Sequence, residues 1–165
     1  MANLTLNQMI DLAKRIKLAT RSIQVETGLE LGTNIYDMGI DGRQYAAQRN
    51  ARYFGGGMYR FVMGYAPNLV IKLPKNIGGA EQQAKEQILL TMTGRLPVNR
   101  FSHVEMVDGM RGIVLEECQS VGDNNKEPEV RDILQPIADA LGIRDWLQTG
   151  YSPLQGRWVL TDIVM

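Results

Sequence analysis

The sequence predicts an α+β fold: an antiparallel sheet carrying one long helix, with an additional helix before it and a small helical part after it. Three observations predict this. Residues 58–65 (MYRFVMGY) and 69–73 (LVIKL) are aromatic and β-branched runs separated by Ala66-Pro67-Asn68, the pattern of a hairpin. Residues 80–92 (AEQQAKEQILLTM) are mostly strong helix formers. Residues 101–107 and 112–116 flank an Asp108-Gly109 turn and read as a second hairpin.

The elements follow in order. Thr5 is placed to cap a first helix running to about residue 26, in which Leu6, Met9, Ile10, Ala13, Ile16, Ala19 and Ile23 recur at three- and four-residue steps. Gly28 is its expected stop. Between residues 29 and 52, Gly32, Gly39 and Gly42 mark turns with Asn34, Asp37 and Asp41. Residues 44–54 are open between helix and strand: their alanines favour helix, and a strand there has to be imposed by tertiary context. Pro74 closes the 69–73 strand, and Gly94 closes the 80–92 helix. Residues 121–126 (VGDNNK) form a polar boundary loop. A helix then spans about 128–141, kinked or split near Pro136, and 156–165 reads as a turn and a buried strand. Trp146 and Trp158 are expected to anchor this last part.

Composition narrows the classes. With 44% hydrophobic residues, 165 residues suffice for one compact unit with a core, in three stretches: 1–52, 53–120 and 121–165. Eighteen basic residues balance eighteen acidic ones, which argues against wrapping nucleic acid and against an electrostatic membrane anchor. No apolar run approaches membrane-spanning length, and Met1 to Thr5 lacks the start of a secretory signal. Cys118 is alone, so no intrachain disulfide or thiolate cluster is expected, and a cytoplasmic setting fits. Cys118 reads as packing, the nine methionines as dispersed core filler, and His103 as lacking a carboxylate or cysteine partner at ligand spacing.

The chemistry concentrates between residues 54 and 86. Gly55-Gly56-Gly57 is by itself a turn signal, yet glycines between strands also let backbone N–H groups approach phosphates. An aromatic residue, then Val62, then a hairpin, then Lys72 inside Val70-Ile71-Lys72-Leu73 follow in order. A lysine within an apolar strand needs an anionic partner or an edge position from which it reaches water. The next helix offers Glu86, preferred because Leu89 and Leu90 follow at core-facing steps, and Glu81 as the alternative.

Residues 54–117 resemble the N-lobe of eukaryotic-like protein kinases. Gly55-x-Gly57-x-Tyr59 with Val62 resembles the glycine-rich loop, and Val70-Ile71-Lys72 the strand-three lysine motif. The resemblance implies that residues 80–92 are the C-helix, that Leu115 lies near the gatekeeper, and that Glu116 to Cys118 form the adenine-holding hinge. It implies ATP and Mg²⁺ as cofactors, bound through Gly55, Gly56, Gly57, Val62, Lys72, Glu86 and Glu116. Further on, Ile143-Arg144-Asp145 resembles the catalytic loop and residues 159–163 the strand ending in the metal-binding aspartate. Asp145 is then the residue that orients an acceptor hydroxyl, and Asp162 the magnesium ligand; the plain alternatives are a cap and a strand end. Four features depart from the family: Arg60 stands at the third loop glycine, Gly150 at the second magnesium ligand, Ile163-Val164 replaces Phe-Gly, and the sequence runs only three residues past Asp162. The expectation is a kinase-like nucleotide-binding protein, with activity as a minimal ATP- and Mg²⁺-dependent phosphotransferase on protein left open. The alternatives are a pseudokinase-like regulator that binds a partner protein, or an unrelated α+β interaction domain. Self-association is left open.

Overall fold

The computed structural model describes residues 3–21, 39–119, 126–143 and 147–163. They fall into two compact units, each assembled from non-consecutive stretches.

The first unit takes residues 39–87 and 101–117. Its centre is a five-stranded antiparallel sheet in the order β1-β2-β3-β5-β4, formed by β1 (Tyr53–Gly56), β2 (Arg60–Ala66), β3 (Leu69–Pro74), β4 (Phe101–Val107) and β5 (Met110–Glu116). Both expected hairpins are present. Their turns hold residues that tolerate left-handed backbone: Asn68 at φ 64°, Asp108 at 49° and Gly109 at 78°.

The ambiguous stretch 44–54 resolves into both options. Asp41 caps α2 (Gly42–Gln48), accepting hydrogen bonds from the Arg43 and Gln44 N–H groups at 3.1 and 3.2 Å. Asn50 then turns the chain at φ 53°, and β1 follows. The alanines act as propensity predicts, while β1 is held by pairing with β2. α2 covers one face of the sheet, where Ala46 joins Phe61, Met63, Ile71, Leu73, Met110 and Val114 in an apolar cluster. Gly42 is required there, because a Cβ would lie 2.4 Å from the Phe61 ring.

The long helix α3 (Ile77–Met92) starts three residues earlier than expected, through Gly78 and Gly79. Asn76 offsets the poor propensity of the glycines: its Oδ1 accepts from the Gly79 N–H at 2.9 Å. A side chain at Gly79 would strike the Tyr59 carbonyl oxygen at 2.0 Å, so close packing selects glycine.

The second unit draws on 3–21, 88–100, 118–119, 126–143 and 147–163. Helix α1 (Leu6–Thr20) carries the expected Thr5 cap as a full capping box with Gln8, and it packs against α4 (Gln135–Leu141). The expected stop at Gly28 lies outside the described residues. Before α4, Val130–Leu134 forms a π-helical turn, and Pro136 sits at the first turn of α4. A proline N–H is missing from the α-helical ladder at this point, and the wider turn absorbs the break. Gly142 closes α4 at φ 79°.

The expected buried strand near the C-terminus is β7 (Arg157–Leu160). It pairs with β6 (Thr149–Ser152), which the sequence did not announce because Thr-Gly-Tyr-Ser lacks an apolar run. Trp158 meets Tyr151 edge-on at 5.8 Å; Trp146 lies outside the described residues. No helix among the described residues is long and apolar enough to cross a membrane.

Candidate functional site

Register places the expected residues in one row. Gly55 on β1 stands opposite Val62 on β2, Val62 opposite Lys72 on β3, and Lys72 opposite Ile113 on β5. Residues opposite one another share a face, and that face is the one α2 does not cover. Arg60, two positions before Val62, lies on it too.

The α3 side chains meet this face with polar groups. Lys72 Nζ donates to Glu86 Oε1 at 2.5 Å, with both side chains buried. Of the two candidate glutamates, Glu86 therefore makes the pair; Glu81 is exposed. Arg60 Nη1 lies 2.6 Å from Glu86 Oε2, an ion pair that lacks the angular alignment of a hydrogen bond. One carboxylate, 1% exposed, is thus shared by two cations.

Gln83 completes the network. Its Nε2 donates to the Lys72 carbonyl at 2.5 Å and to the Arg111 carbonyl at 2.9 Å, and its Oε1 accepts from Arg60 Nη1 at 3.2 Å. Gln87 Oε1 accepts from Arg111 Nη1 at 3.2 Å. One glutamine ties together the backbones of β3 and β5 and the side chain from β2. Buried ions are tolerated when they are paired and hydrogen-bonded; Glu86 Oε2 has the Arg60 charge beside it but no hydrogen bond.

The glycine bend is fastened to the start of α3. The Gly57 N–H donates to the Arg60 carbonyl at 2.9 Å, closing the turn into β2. Lys75 Nζ donates to the Gly57 carbonyl at 3.0 Å, Asn76 Nδ2 to the Met58 carbonyl at 3.1 Å, and the Lys75 N–H to the Tyr59 carbonyl at 2.7 Å. β2 consequently begins at Arg60 and not at Met58. Met58 is 75% exposed at the tip, and Tyr59 and Ile77 are exposed beside it.

The remaining expected residues are placed as follows. Leu115 stands opposite Val70, and Glu116 opposite Leu69, both buried at the end of β5. Cys118 is half-buried in the second unit. Asp162 is half-buried just after β7, also in the second unit. Asp145 lies outside the described residues. Among the described residues, no group of three or more His, Cys, Asp or Glu is gathered for a metal ion.

Two features escaped the sequence reading. By sequence Arg60 reads only as a missing glycine; its two-residue spacing from Val62 in a strand is the signal that it shares the face of Lys72. His103 does have a carboxylate partner: its Nε2 lies 3.2 Å from Glu105 Oε2, on the same strand two residues on, and its Nδ1 lies 2.9 Å from Ser102 Oγ. That cluster is exposed, with Tyr65 donating to the same Glu105 oxygen at 3.1 Å. The hydrogen bond to Glu105 raises the Tyr65 pKa above the usual phenol value.

Comparison with known proteins found no match to a protein-family model, to a curated protein or to a solved structure.

Proposed function

We propose that this chain is a kinase-like nucleotide-binding protein, with the first unit gripping the phosphates of ATP and the protein acting as a minimal phosphotransferase on protein. One observation carries the reading: the buried Lys72–Glu86 ion pair, on the same sheet row as Gly55 and Val62. In kinases a strand-borne lysine held by a helical glutamate is the group that positions the phosphates, and transfer depends chiefly on such positioning and on charge stabilisation. Glu86 fixes the direction of the Lys72 ammonium, and the glycine bend brings backbone close without side chains. Magnesium, which is held by one or two carboxylates together with phosphate oxygens, is assigned to Asp162, and orientation of the acceptor hydroxyl to Asp145, on the family resemblance alone. A cytoplasmic setting is part of the same proposal.

The test is a thermal-shift titration with ATP and Mg²⁺ on wild type and on Lys72→Ala. A ligand that binds only the folded form stabilises it by about 2.7 kcal/mol at about 100 times its dissociation constant. The melting temperature of the wild type should climb with ATP while that of Lys72→Ala stays flat. A flat wild-type response overturns the reading.

A second reading, a pseudokinase-like module that acts by binding a partner protein, is favoured by the glycine bend itself. Its Gly57 amide is spent on Arg60, its carbonyls are held by Lys75 and Asn76, and its tip turns Met58 and Tyr59 outward, with Ile77 exposed at the start of α3. Function surviving Asp145→Ala, with nucleotide binding but no phosphate transfer, would select it.

A further inference from the structure

Glu86 has one cation on each of its oxygens, which bears directly on how a nucleotide can be bound. Were Lys72 its sole partner, a phosphate competing for the ammonium would weaken the pair and leave a carboxylate 1% exposed only partly compensated. Stripping a buried ion of its partner is costly. Arg60 already sits on the other oxygen, at 2.6 Å. Gln83 holds Arg60 there by the 3.2 Å hydrogen bond, and the same Gln83 is anchored on the carbonyl of Lys72. The guanidinium is therefore tethered to Glu86 independently of where the Lys72 ammonium points. Arg60 also stands opposite Pro74, one same-face position along the strands from the Val62–Lys72 pair, which separates its root from that of Lys72.

We infer that Arg60 is a positioning residue that keeps Glu86 neutralised while Lys72 divides its ammonium between Glu86 and a polyphosphate, so that Lys72 engages the ligand at small cost without leaving Glu86. The inference rests on the nucleotide-binding reading above and adds to it a second cation at the strand position where the family resemblance expects a glycine.

The experiment is a double-mutant cycle read as MgATP affinity by isothermal titration, on wild type, Arg60→Met, Arg60→Lys, Glu86→Gln and the Arg60→Met/Glu86→Gln pair, with the ligand-free melting temperature recorded for each. Arg60→Met should weaken MgATP about 10- to 100-fold, within the coupling range of residues sharing one ion network. Arg60→Lys should recover most of that loss. Once Glu86→Gln has replaced the carboxylate by a neutral amide, no charge needs holding, so adding Arg60→Met should change affinity less than about twofold. If Arg60→Met does not fold, Arg60→Gln removes the charge while keeping a hydrogen-bonding group for Gln83, and serves in the same cycle. Unchanged affinity in the charge-removing variant overturns the inference. So does an equally large loss in the Glu86→Gln background, which would place Arg60 on the phosphate itself or in the fold at large. Failure of the wild type to bind MgATP overturns both the nucleotide reading and this inference; binding by wild type with no coupling between Arg60 and Glu86 overturns the inference alone.

Discussion

The two faces of the five-stranded sheet are built from the same strands and hold together by different physics. Under α2, Phe61, Met63, Ile71, Leu73, Met110 and Val114 pack with Ala46 as an apolar cluster. Under α3, the alternate residues Arg60 and Lys72 meet Glu86 and Gln83 in a buried polar network set among the buried Val70, Ile113 and Leu115. Apolar packing is non-directional and tolerates exchange of similar volumes. An ion network adds little net stability over an apolar isostere, and fails badly when one member is removed. Apolar packing on both faces stabilises the sheet, whereas the buried polar network on the α3 face needs a further reason to exist, and the proposed nucleotide binding would supply one.

The sharpest way to break the contrast is Glu86→Leu. It leaves two buried cations without their shared carboxylate, and should cost about 3–5 kcal/mol by chemical denaturation as well as abolish the ATP-dependent thermal shift. Stability unchanged by this substitution would remove the network from the fold's energetics. On the other face Phe61→Ala should cost at most as much, about 3–5 kcal/mol, but leave the MgATP affinity of the folded protein unaltered by titration. A change in affinity there would show that the faces are not separable.

Gln83→Ala is intermediate. It leaves the Lys72 and Arg111 carbonyls without their donor and should cost about 1–3 kcal/mol, seen as a lower denaturant midpoint. The slope of the unfolding curve should not change.

The smallest effect belongs to an exposed cluster, where Tyr45 and Arg49 both donate to Asp108 Oδ2 and the Arg49 guanidinium lies 3.4 Å above the Tyr45 ring. The Tyr45 hydrogen bond first, and then that of Arg49, hold the Asp108 carboxyl below the usual range. Because the folded pKa is depressed, the stabilisation is fully present above the ordinary aspartate value of about 3.9 and is lost as pH falls through the lower folded value. Asp108 is half-exposed and screened by salt, so Asp108→Asn should cost only about 0.2–1 kcal/mol at neutral pH. Melting curves of wild type and variant should differ at neutral pH and draw together in acid; a gap of constant size at every pH would contradict the assignment. Tyr45 has the opposite sign: burial above all, and then the hydrogen bond to Asp108, raise its phenol. Its contribution is full below the ordinary tyrosine value of about 10 and is lost only as pH rises beyond it.

The α+β class, both hairpins and α3 were legible because each rests on a local signal, whether alternation, a turn dipeptide or helix propensity. The Lys72–Glu86 pairing was legible for a physical reason as well, since a lysine flanked by Val70, Ile71 and Leu73 demands an anion and α3 offered two. What stayed hidden depends on register. Arg60 acquires its role only once β2 is known to begin after Tyr59, and Gln83 only once α3 is known to lie across β3 and β5. Polar residues such as glutamine look like surface decoration until a neighbouring backbone claims their amides. The start of α3 was missed because Gly78 and Gly79 read as a breaker, when the close approach of Tyr59 makes glycine the residue that fits.

The three hydrogen bonds joining the Gly57 to Tyr59 bend with Lys75 and Asn76 close a loop of chain around β2 and β3. Mechanically, the bend and the first turn of α3 form a single lever. Any molecule that lifts the bend must also pull on Asn76, the residue that starts the helix, and so load the rod on which Glu86 is mounted.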